Sequence, residues 1–338
     1  MLGALDDYEA VVIAKPNSRV SEKDKFIIDQ YIMNGGKVLW LVEWMQMDMD
    51  SLANSASSVA LIKDPNIDDL LYNYGVRINP DLIQDVNCLS IPIAVNQVNG
   101  NPSFEPRPWY FFPAILSGNS HIINENISVL RTQFVSSIDT VGENVNIKKT
   151  PLLKTSRFSR SLGVPVNVNL DIVRQPPDPK LFSQGAKTIA VLLEGEFPSN
   201  FDMRIPAEIV MSEDIQFKNV SVPTKQIVVS DGDVIRNYVR KMGTRQEPFQ
   251  LGADKYYKNQ FTPGNKEFIL NCVNYLCGDE DIISLRMREI KLRTFDHSKV
   301  TEQGQFWMIF NALVPVLIIL VLGLTVYFTR KIRYGKKS

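Results

Sequence analysis

From Gln303 to Thr329 the chain carries no charged residue, and Phe306 to Phe328 reads FWMIFNALVPVLIILVLGLTVYF, 23 residues almost without polar interruption. A helix rises about 1.5 Å per residue, so roughly 20 such residues cross a hydrocarbon core and this stretch has length to spare. Trp307 and Tyr327 stand where aromatic belts are expected, and Arg330, Lys331, Arg333, Lys336 and Lys337 follow at once. That bias places the tail in the cytoplasm and the body on the far side of the membrane. Arg286, Arg288, Lys291, Arg293 and Lys299 argue the other way, but they lie farther off and are interleaved with Glu289, Asp296 and Glu302. Asn311 and Pro315 fall inside the span. Polar and kinking residues there face a partner helix more readily than lipid, which makes these two the candidates for a membrane partner contact.

The 338 residues hold 37 basic and 37 acidic side chains, yet five of the basic ones occupy the last nine positions, leaving 32 against 37 in the rest. An acidic body with no basic stripe excludes a nucleic-acid partner, because phosphate neutralisation needs clustered Lys and Arg. With 44% hydrophobic residues the body has enough apolar material for a substantial core. Three cysteines, Cys88, Cys272 and Cys277, have neither zinc-finger spacing nor the density of a disulfide framework. Cys272 and Cys277 fall on different sides of one expected helix, so core packing is their reading. The opening MLGALDDYEAVVIAKP is acidic and has no apolar run long enough for an export signal.

Val11 to Ala14 is a short apolar run ended by Pro16, and Ser21 with Asp24 three residues on predicts a capped helix from Ser21 to Asn34, stopped at Gly35. The run KVLWLV, Lys37 to Val42, then has no polar alternation. Strand, helix, Gly-Gly turn and buried strand make a βαβ unit, which predicts a mainly parallel sheet flanked by helices. Asp68 to Tyr74 is expected as a helix ended at Gly75, and Cys88 to Val95 as an edge strand because of Pro92. Strands are expected at Trp109 to Phe112, Thr132 to Ile138, Pro151 to Thr155, Thr188 to Glu194 and Gln226 to Val229, and a helix at Asn265 to Leu276 stopped by Gly278. The expected organisation is an α/β part in two halves, 1–103 and 180–295, with a β-rich section over 104–179. A juxtamembrane link over 296–305, a transmembrane helix over 306–329 and a basic cytoplasmic tail over 330–338 complete it.

Little in the sequence supplies catalysis. The two histidines, His121 and His297, are a polar turn residue and an interfacial one. There is no Gly-x-Ser-x-Gly elbow, no Walker A loop and no Gly-x-Gly-x-x-Gly fingerprint, so nucleotide handling falls to a partner and no cofactor or metal is expected. Asp231, Gly232 and Asp233 follow the buried strand Gln226 to Val229 and form the candidate ligand-binding turn. Two carboxylates at the carboxyl edge of a sheet could meet a cation, although Asp-Gly is also a routine turn pair. Glu194 and Glu196, separated by Gly195, could pass for an acid/base pair but read as strand-end solvation.

Five stretches, SSIDTV (Ser136 to Val141), KTPLLKTS (Lys149 to Ser156), VLLEGEFPSNF (Val191 to Phe201), VSDGDVIRN (Val229 to Asn237) and GNKEFILNCVNYLCGDEDIISLR (Gly264 to Arg286), occur in that order before the span. In these the chain resembles the GldG family, the auxiliary or substrate-binding subunit of a gliding-motility-associated ABC transporter. The resemblance implies a class I glutamine amidotransferase-like fold without a catalytic nucleophile, held in the inner membrane by spans at both ends. It further implies a periplasmic body and partnership with a permease and an ATPase. This chain shows no amino-terminal span, which the resemblance renders as an amino-terminal truncation.

The expectation is thus a non-catalytic, membrane-anchored accessory subunit whose body meets a partner or a ligand of unknown identity. The alternatives are an amidotransferase-like hydrolase acting on an envelope peptide or glycan, for which a carboxylate pair with shifted pKa values would speak, and a purely structural envelope protein.

Overall fold

Ser21 does what its spacing predicts: its Oγ accepts from the Asp24 amide at 3.1 Å and starts helix α1, Glu22–Met33. The helix ends at Asn34, and Gly35 takes φ +97°, a left-handed turn that L side chains resist. In this computed structural model the described residues are 3–98, 101–116, 121–142, 144–174, 177–178, 180–202, 204–206, 215–253, 263–286 and 297–335. They fall in two compact units, 1–287 and 288–338.

The first unit is built on a five-stranded sheet of β1 (Ala10–Ala14), β2 (Lys37–Leu41), β3 (Ile147–Lys154), β4 (Thr188–Gly195) and β5 (Thr224–Val229). Its spatial order is β1-β2-β5-β4-β3. The β1 and β2 strands and the β2 and β5 strands pair in parallel, whereas β5 with β4 and β4 with β3 pair antiparallel. The βαβ unit forms as expected, and the sheet it starts is mixed, two parallel pairings meeting two antiparallel ones. A strand buried on both faces shows the same unbroken apolar run whichever way it points, so TIAVLLE carries no sign of direction.

Strand β2 explains the layering. Val38, Leu39, Trp40 and Leu41 are all fully buried, and they alternate between two cores. Val38 and Trp40 pack on one side with Tyr31 and Ile32 of α1. Leu39 and Leu41 pack on the other side with Phe268 and Cys272 of α4 (Asn265–Cys277), which ends at the left-handed Gly278. Side chains alternate along a strand, so a doubly apolar strand requires cover on both faces. Trp40 Nε1 also donates to Gln226 Oε1 at 2.9 Å, tying β2 to β5 in the interior.

Shorter helices α2 (Met49–Ser55), α3 (Asp68–Asn73) and α5 (Glu280–Arg286) and several small sheets complete this unit. A long hairpin, Cys88–Val98 with Asn101–Ile115, runs across the expected division at residue 103, and its Pro-containing first strand lies at a sheet edge as expected. The strand expected over Thr132 to Ile138 is not continuous: Leu130–Arg131 and Ile138–Thr140 are strands, and between them Phe134 turns through φ +47°. Of the cysteines, Cys272 is buried and none is in a disulfide.

Asp29, on the inner side of α1, is a second organising group. It is fully buried and accepts from Tyr74 Oη at 2.8 Å, Ser199 Oγ at 2.6 Å and the Asn200 amide at 2.8 Å. The second unit contains α6, His297–Tyr334, whose segment Met308–Arg333 reaches a mean hydropathy of 2.7 over an 18-residue stretch and is long and apolar enough to cross a membrane. Residues 297–305 of the expected link are helical too, and Pro315 stays inside the helix.

Removing the α1 cap by Ser21→Ala should cost about 1 kcal/mol, whereas Asp29→Ala, which strands several buried donors, should cost about 3 kcal/mol or more. Thermal or denaturant unfolding of the full chain in mild detergent checks both. Equal, small losses would contradict the central place given to Asp29.

Candidate functional site

The three parallel strands β1, β2 and β5 end on one edge of the sheet, and each hands over a charged residue within a few positions. Lys15 follows β1, Glu43 follows β2, and Asp231 and Asp233 follow β5. The carboxyl edge of parallel strands is where α/β proteins place their ligand sites. Here the edge is filled by a buried ion cluster. Lys15 Nζ lies 2.7 Å from Glu43 Oε1 and 2.9 Å from Asp233 Oδ2. Asp233 also meets Arg236 at 3.5 Å.

Local geometry brings these groups together. Lys15 adopts φ +46°, which turns the chain at the end of β1 while its amide still donates to the Leu41 carbonyl at 2.8 Å. Gly232 is required by close approach: a Cβ there would stand 2.8 Å from Lys15 Cβ. Asp231 has no solvent exposure and accepts from the Gln133 amide at 2.9 Å and from the Asp233 amide at 2.8 Å. It holds the turn that aims Asp233 at Lys15.

The charges are not balanced one for one. Burial, reinforced by the Asp233 charge, raises Glu43 to about 8 in spite of its bond to Lys15. The same two causes raise Asp231 to about 7, against the stabilising backbone donors. Burial would lower Lys15, but the Asp233 and Glu43 carboxylates outweigh it and hold the ammonium above its ordinary range. At neutral pH the edge therefore retains protons that exposed carboxylates would have released.

The expected Asp231-Gly232-Asp233 turn is at this site, and the cation that Asp233 meets is Lys15 of the same chain, while Asp231 accepts from backbone amides. Lys15 and Glu43 were missed by sequence reasoning. Their signal was that each is the first charged residue after an apolar strand, Val11 to Ala14 and Val38 to Val42. Glu194 is not part of the cluster. It ends the antiparallel β4 opposite Lys225 of β5, at the other edge of the sheet, where it accepts from Tyr275 Oη at 2.7 Å. His121 stacks edge-on against Tyr275, with burial lowering its pKa, and Glu196 is exposed. Asn311 and Pro315 lie in α6, in the other unit. Among the described residues no group of three or more His, Cys, Asp or Glu is arranged to hold a metal ion. Trp44, next after Glu43, lines a cavity of about 530 Å³ together with Asp68, Asp69, Tyr72, Arg77 and Asn200.

The family model ABC_transp_aux, described as an ABC-type uncharacterized transport system, matches residues 3–272. The chain belongs to this family. The ABC_transp_aux match takes in all five strands of the central sheet and every member of the ion cluster, while α6 lies beyond it. No curated protein matches the chain. Among solved structures, the mmIFT52 N-terminal domain is similar at 13% identity over 82% of this chain and 80% of that one, with a TM-score of 0.38. Family membership makes the chain an auxiliary component of an ABC-type transport system, and its apolar helix fits a membrane anchor.

A carboxyl group held above its usual range binds more protons folded than unfolded. Between the unfolded values near 4 and the folded values of about 7 and 8, stability therefore falls as pH rises. The melting temperature of the full chain should drop between pH 6 and pH 8.5, and Glu43→Gln should flatten that decline. An unchanged slope in the variant would contradict the raised Glu43.

Proposed function

We propose that this chain is a non-catalytic, membrane-anchored extracytoplasmic accessory subunit of a gliding-motility-associated ABC transporter of the GldG type, with an amidotransferase-like ancestry for its α/β body. The observation that carries the reading is the family match over residues 3–272 in a chain that also holds, farther on, a helix able to span a membrane. The basic residues Lys331 and Arg333 at the end of that helix favour a cytoplasmic tail and a periplasmic body in the inner membrane. A chain with no nucleotide-binding motif depends on an ATPase partner, and one span of its own suits docking on a polytopic permease. The body's role is to meet a partner or ligand outside the membrane, and the cavity beside Trp44 is the place for a small one.

The raised Glu43 and Asp231 favour a second reading, a hydrolase acting on an envelope peptide or glycan. Geometry weighs against it. Asp231 is sealed from solvent with both oxygens on backbone amides, and Glu43 is held by Lys15.

Affinity purification of the tagged full chain from its own host in mild detergent should recover a polytopic permease and its ATPase. Recovery of the folded chain alone would overturn the accessory-subunit reading.

A further inference from the structure

Between Phe306 and Thr329 the one carboxamide and the two threonine hydroxyls of α6 lie on one seam. Asn311, Pro315, Ile318, Leu322, Thr325 and Thr329 follow one another at alternating steps of four and three, the spacing that keeps one line of a helix facing a partner. Thr325 and Thr329 satisfy their hydroxyls internally, on the Val321 carbonyl at 2.7 Å and the Thr325 carbonyl at 2.8 Å. Asn311 differs. Proline has no N–H, so Pro315 cannot donate to the carbonyl four residues earlier, and that carbonyl belongs to Asn311. One residue thus presents a carboxamide and a backbone acceptor without its helical donor at the same level. That level is six residues from the middle of the 306–328 stretch, roughly 9 Å along the axis and inside the hydrocarbon. Lipid offers nothing to satisfy either group.

We propose that α6 pairs with α6 of a second copy of this chain, as a parallel dimer in which each Asn311 carboxamide donates to the Asn311 carbonyl of the other copy. The two groups are self-complementary about a two-fold axis, as an isologous contact requires. All copies share one orientation in the membrane, so the two Asn311 residues meet at the same depth. The inference does not depend on which transporter the body serves.

The test is Förster transfer between two populations of the full chain, fluorescently tagged at the carboxyl terminus, in phosphatidylcholine and phosphatidylglycerol liposomes over a range of dilutions. Transfer should rise with chain density as a monomer–dimer equilibrium. Asn311→Leu should require about tenfold higher density for the same transfer, the scale of a few intramembrane hydrogen bonds. Asn311→Gln, which keeps the amide, and Leu320→Ala, on the opposite side of the helix, should stay near the parent. A monomer at every density, or an Asn311→Leu variant that pairs as well as the parent, would overturn the proposal. So would a chain that remains monomeric until a permease is added. Because Asn311 lies outside the folded body, none of these variants tests the body's stability, and failure here leaves the permease reading to its own experiment.

Discussion

One ammonium closes the working edge of the sheet. Lys15 Nζ stands between Glu43 and Asp233, so that the ends of β1, β2 and β5 are tied together by charge as well as by hydrogen bonds. Such a buried cluster is expensive to assemble, and breaking it from one side leaves an uncompensated charge. The proton retained by Glu43 or Asp231 reduces that cost by removing a negative charge from a cluster whose ion pairs are made by Lys15 and the more exposed Arg236. The edge where α/β enzymes keep an open catalytic cleft is here occupied by the chain's own side chains.

The same economy recurs in the stretches that carry the resemblance. Ser137 donates through its amide and hydroxyl to Asp81, each at 2.7 Å, and Ser156 does so to Asp85, each at 2.6 Å. Ser199 supplies Asp29 in the same way through its hydroxyl. In all three cases burial raises the carboxyl group and serine donors pull it back. These short motifs hold distant segments together across the body, and a polar group so satisfied specifies one arrangement because every alternative leaves it unpaired.

Features set by neighbours in sequence were legible before the structure. The Ser21 cap, the left-handed stops at Gly35, Gly75 and Gly278, and the apolar strands β1, β2 and β5 all rest on local geometry. The direction of β4 was not legible, because a strand buried on both faces has no polar side to orient it. The partnership of Lys15 with Glu43 and Asp233 was not legible either, since it joins residues brought together only by strand order. The Asp231-Gly232-Asp233 turn was visible, but its meaning depended on a lysine more than 200 positions away. The extension of α6 through residues 297–305 escaped notice because a polar segment can continue a helix that an apolar one begins.

The central claim is that this edge is closed by an internal ion cluster. Its most direct measurement is the rate at which each lysine of the folded full chain is acylated at neutral pH, read residue by residue by mass spectrometry. Lys15, with a side chain 28% exposed but held between the carboxyl groups of Glu43 and Asp233, should react far more slowly than Lys148, which is 75% exposed. Lys15 acylated as fast as Lys148 would mean that the ammonium is free, the edge is open, and the cluster does not close it.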